Sequence, residues 1–334
     1  MEKVRDVRYD TLKGILILGV LYRHFIINNA TTMTVVNEVV ANFIHFFTMP
    51  LFVFISGYFT RHVSETKKYW SGIVGILETY LFFQIVKGFL YGYTLGEIPV
   101  RPAPMMWYLL ALAFWRILYY IFNKCGLKIN GSLIIILLII TMTAGFVPFI
   151  DRTFSASRIL YFAPYFFGGV MLQNVKVMEL VKTRVHASAS WVILAIAFIG
   201  CIVASYFNVN SQMEDVFRGC YPYPIDNQWL FMLFRFLSFI VSFFVSVAIV
   251  RLFAVPNEKL EIVGKDSLKY YMFQGFALIA CGYLHLPWNF VLATIYAIVA
   301  TIVIWFFNKT KLSDIVLRPV HYVVSQIKSR NSKK

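Results

Sequence analysis

Long apolar runs alternate with short polar connections along the whole chain. Ten runs stand out, at 11–28, 38–58, 69–91, 104–122, 132–149, 158–174, 187–207, 228–250, 267–284 and 287–307. Each comes close to the about 20 residues that a helix needs to cross a bilayer. The pattern predicts an all-α integral membrane protein with about ten transmembrane helices. The longest connection, 208–227, holds Pro222 and Pro224 and leaves no room for a second folded domain. One membrane domain is therefore read over 1–308, followed by a basic tail over 309–334. The first run is read as a span, because Asn28-Asn29-Ala30-Thr31 after it makes a poor leader-cleavage site.

Composition supports the same reading. Apolar residues make up 59% of the 334, and charged residues only 14%. Ten spans of about 20 residues would absorb nearly all of that apolar material. A soluble enzyme, a secreted disulfide scaffold and a disordered chain are excluded. Cys125, Cys201, Cys220 and Cys281 are scattered and show no metal-ligand spacing, so no metal is expected.

Net charge is +15. Its distribution matters more than its size. Of the 31 lysines and arginines, about 23 fall at the N-terminus, in the even-numbered connections and in the tail, counting Lys13 and Lys269 at the adjoining span ends. The odd-numbered connections hold four, Arg101, Arg152, Arg158 and Arg218, and four more lie inside spans. By the positive-inside rule both termini face the cytoplasm. An even number of spans requires both ends on one side, which agrees. This accounts for the basic balance without nucleic acid. The tail is read as an anchor on anionic lipid.

Ionisable residues inside spans are costly and mark protein interiors or water-filled cavities. The first span carries Asp10, Lys13, Arg23 and His24. Lys13 and His24 are eleven residues apart, which puts them on one helix face about 16.5 Å apart along the axis. Asp10 lies on the same stripe, or caps the helix. Arg23 points about 100° away, toward the outer headgroups. His45 in the second span falls at a depth comparable to His24, so the two histidines are expected to share a cavity. Pro50 sits further along that span.

The residues then resemble a known family. Lys13, ten intervening residues and His24, in the setting RYDTLKGILILGV, are similar to the opening signature of acyltransferase family three. FFTMPLFVFISGYF (46–59), MWYLLAL (106–112), YFAPYFFGG (161–169) and IVGKDSLKYYMFQG (262–275) follow in the family's order. The departures are Lys13, where the family often has Arg, and Thr48 and Gln274, where it often has His.

The resemblance implies a multi-pass bacterial plasma-membrane O-acetyltransferase of the kind that acts on capsular and related surface polysaccharides. Acetyl-CoA would be the donor. The acceptor would be a sugar hydroxyl of the polysaccharide or of its lipid-linked precursor. A hydroxyl is a weak nucleophile at neutral pH, and an imidazole titrates in the useful range. His24 is thus the candidate base, or the carrier of an acyl-histidine intermediate. Lys13 would contact the donor or orient the cavity. Arg158 and Arg235 are candidates for the oxyanion. Arg61, Lys67 and Lys68, on the cytoplasmic side, are candidates for the CoA phosphates. Trp107 and the aromatics at 221–229 are candidates for stacking on sugar rings. A transporter or flippase for a polysaccharide precursor or small anion is the alternative, although no internal repeat of the kind such proteins carry is visible.

Overall fold

The structure is a computed structural model, and it describes residues 6–28, 34–64, 66–207, 219–220 and 222–319. Arg218, Tyr221 and the tail beyond residue 319 lie outside the described residues. The described residues form helices and no strand. Each of the ten predicted segments contains one helix. These are α1 (Val7–Ile26), α2 (Val35–Tyr58), α3 (Thr66–Leu90), α4 (Trp107–Lys124), α5 (Gly131–Ala144), α6 (Ala156–Met171), α8 (Ala187–Tyr206), α9 (Gln228–Phe253), α11 (Ser267–Tyr283) and α12 (Phe290–Asn308). Three short helices lie between or after them: α7 (Val177–Arg184), α10 (Glu258–Lys265) and α13 (Lys311–Leu317).

Some ends differ from expectation for local reasons. The first helix begins four residues early, and its cap is Asp6 rather than Asp10. Asp6 accepts from the Arg8 backbone N–H at 3.0 Å and from the Arg8 guanidinium at 2.8 Å. That guanidinium holds the Asp6 carboxyl below its ordinary value. Arg8 also pairs with Glu179 at 2.6 Å, which ties α7 to α1. α5 stops at Ala144, because Gly145 and Pro148 follow it.

Helices α1 and α2 form the centre. α2 packs on α1, α6, α8 and α9, while α1 packs on α2, α10, α11 and α12. Glycines permit the tightest contacts. A Cβ at Gly57 would overlap the Phe166 carbonyl, and one at Gly169 the Phe54 carbonyl. A Cβ at Gly14 would overlap the Leu260 carbonyl, and one at Gly264 the Asp10 carbonyl. α1 and α10 therefore touch backbone to backbone.

α2, α3, α8, α9 and α12 are each long and apolar enough to cross a membrane. α8 turns Trp191, Ile196 and Ile199 outward, and α12 turns Val291, Ile298 and Val303 outward. Apolar faces this extensive belong in lipid, so the chain is a membrane protein.

Candidate active site

His24 stands in the last turn of α1, in the same unbroken helix as Lys13. His45 stands on α2, which runs through Pro50 without interruption. The two histidines line one cavity of about 370 Å³, at the end of the bundle opposite the N-terminus. Thr48, one turn along α2 from His45, lines the same cavity. It is completely buried, and its hydroxyl has no hydrogen-bond partner among the described residues.

Arg23 departs from its expected place at the headgroups. It is buried and lines the cavity, and its Nε donates to the Ala41 carbonyl at 3.1 Å. The helical angle gave its direction, but α2 lies in that direction and supplies an acceptor.

Arg158, in the first turn of α6, also lines the cavity. Its Nε donates to Cys220 Sγ at 3.0 Å. Its guanidinium lies 5.1 Å from the Trp107 ring centre, and Trp107 in turn stacks on Phe162 at 5.0 Å. Phe154 and Ser155, just before α6, have φ values of 49° and 58°. Two successive non-glycine residues in the left-handed region are strained, and strain of this kind gathers at functional sites. Here it carries the chain from Arg152 into α6, and Arg152 reaches the same cavity.

The connection between α3 and α4 closes the roof. Gln84 of α3 clamps it: Nε2 donates to the Ile98 and Arg101 carbonyls at 2.7 and 2.9 Å, and Oε1 accepts from the Ala103 N–H at 2.8 Å. The Phe154 N–H donates to the Val100 carbonyl at 2.8 Å and joins this connection to the next one. Arg101 thereby reaches the cavity rim, where its guanidinium lies 5.3 Å from the Tyr93 ring centre. Glu97, 3.6 Å from Arg101, accepts from the Thr94 backbone N–H and hydroxyl, and those bonds hold its carboxyl below its ordinary value. Gln84 and Arg101 are visible in the sequence as polar groups, but nothing local there announces the clamp.

The cavity thus gathers His24, His45 and Arg158. The other candidates lie elsewhere. Lys13 pairs with Asp10 at 2.7 Å, three turns of α1 away from His24. Arg235 is buried in α9, where it donates to the Thr141 carbonyl at 3.2 Å and lies 4.5 Å from the Tyr223 ring centre. Arg61, Lys67 and Lys68 are exposed at the Lys13 end of the bundle, and Arg61 donates to the Lys68 carbonyl at 3.3 Å. A second hollow, of about 380 Å³, opens at that end beside His62 and Lys128. Of the aromatics at 221–229, Tyr223 is buried with its hydroxyl on the Met142 carbonyl, and Trp229 is exposed.

No curated protein and no solved structure matches the chain. Residues 6–309, nearly its whole length, match the acyltransferase domain of acyltransferase family three, and the chain belongs to that family.

Proposed function

We propose that this acyltransferase moves an acetyl group from acetyl-CoA to a sugar hydroxyl of a cell-surface polysaccharide, capsular in type, or of its lipid-linked precursor. It would do so in a bacterial plasma membrane, with the ten long helices as ten crossings and both termini in the cytoplasm. The observation that carries this reading is the meeting of His24 and His45 in one cavity. Its volume falls at the small end of ligand pockets, about 300–1,000 Å³. It suits one sugar ring and the acyl end of a donor.

His24 takes the proton of the acceptor hydroxyl as that oxygen attacks the thioester carbonyl. The C–S bond then breaks, and the proton passes from the imidazolium to the departing CoA thiolate. Arg158 faces the cavity and donates to the oxyanion that forms in between. Thr48 offers its hydroxyl to the same reacting groups. Lys13, paired with Asp10, keeps α1 oriented. The exposed cations Arg61, Lys67 and Lys68 receive the phosphates of CoA from the cytoplasm.

The test compares O-acetyl content of the host's surface polysaccharide by NMR in wild type, a deletion strain and a His24→Ala strain at equal expression. One acetyl signal should vanish in both mutants. A signal lost only in the deletion would remove His24 as the base. No change in either would end the reading.

A further inference from the structure

The connections opposite the basic termini are nearly free of cations. Four arginines are the exceptions, and Arg101, Arg152 and Arg158 all line the one cavity, with Arg23 at its wall. They come from three separate stretches of chain, so no local sequence feature explains their convergence. The lining residues include no aspartate or glutamate. Burial is graded: Arg23 is 6% exposed, Arg158 is half-buried, and Arg101 and Arg152 stand open at the rim. The backbone is held at Arg101 by Gln84 and turned after Arg152 by the strained Phe154–Ser155 pair, Cys220 with Trp107 holds the Arg158 guanidinium, and Glu97 lies 3.6 Å from Arg101 outside the cavity lining. Planar guanidinium groups gathered in this way suit carboxylate or phosphate recognition.

We infer that the acyl acceptor is anionic, and that Arg101 and Arg152 seize its carboxylate or phosphate at the rim. The hydroxyl to be acylated then lies deeper, beside His24. The inference rests on the acyltransferase reading of the cavity. It adds a substrate class: an acidic sugar, or a sugar carried on phosphate.

The test uses the purified full-length protein in detergent. Its thermal unfolding is titrated with glucuronate, glucose 1-phosphate and glucose at one ionic strength. At least one anion should bind about tenfold more tightly than glucose, as charge-assisted hydrogen bonds require. A response to glucuronate alone assigns a carboxylate, and one to glucose 1-phosphate alone a phosphate. Arg101→Gln and Arg152→Gln, both on exposed loops, should each weaken the anion about tenfold and leave glucose unchanged. Equal binding of all three sugars, no binding of any, or anion binding untouched by both substitutions would overturn the inference. Acetyl transfer without anion preference removes this inference alone. Anion binding without any acetyl transfer removes the proposed function and leaves an anion site.

Discussion

Lys13 Nζ lies 2.7 Å from Asp10 Oδ1, one turn apart on the helix that ends at His24. The Asp10 side chain is almost wholly buried, and Lys13 is partly exposed. Removing Lys13 would leave a carboxylate inside the bundle short of its cation. We expect Lys13→Ala to cost about 2 kcal/mol, less than the 3–5 kcal/mol typical of a fully buried pair. Lys13→Arg should keep both stability and acetylation. Thermal unfolding in detergent, paired with the acetyl signal, checks this. A Lys13→Ala protein as stable as wild type but inactive would mean that Lys13 touches substrate.

Thr48 allows stability and activity to be separated. Its hydroxyl is buried with no described partner, so Thr48→Val removes an oxygen that costs the fold desolvation without a hydrogen bond in return. Stability should rise by about 1 kcal/mol, because the desolvation cost of the unsatisfied hydroxyl is removed. Transfer should fall about tenfold if the hydroxyl bonds to substrate, as the loss of one such bond implies. Full activity in Thr48→Val would show that the hydroxyl plays no part.

Gly264→Ala should be severely damaging, because the added methyl would meet the Asp10 carbonyl, a backbone atom that cannot step aside. We expect a loss of about 3 kcal/mol or more, at the upper end of overpacking costs. Gly75, also helical, has open space where a Cβ would go. Gly75→Ala should gain about 0.5–1 kcal/mol from helix propensity. Yields of folded protein for the two variants should therefore move in opposite directions.

Neutralising Arg61, Lys67 and Lys68 together should raise KM for acetyl-CoA severalfold and leave kcat near wild type, since the three lie far from His24. The increase should shrink as salt is added, because exposed charges are screened. An unchanged KM would move the phosphate site elsewhere, with the hollow beside His62 and Lys128 as the next place to search.

Much of the fold was legible in the sequence because lipid imposes a length rule, and each of the ten apolar runs contains one helix. The short helices were not. α10 reads EKLEIVGK, too polar and too brief to register as a run. It is stabilised by its contact with α1, which no local signal reports. The candidate site divides in the same way. Depth counting along two helices placed His24 and His45 together. It misplaced Arg23, because an angle on one helix does not say what the neighbouring helix offers. The convergence of Arg101, Arg152 and Arg158 depends on a glutamine clamp and a strained turn, and both are tertiary facts.

The contact between Gly14 and Gly264 joins positions about 250 residues apart, which makes it one of the least local in the chain. Its two halves leave the ribosome far apart in time. α1 is made early, but the surface it needs, α10, is made only after eight of the ten segment helices, α1 included, have been synthesised. Until then the helix bearing His24 has no final seat. Seating of α1, and with it of the cavity that holds His24, is thus a late event in biogenesis, and a chain released before Lys265 would lack the surface that seats it.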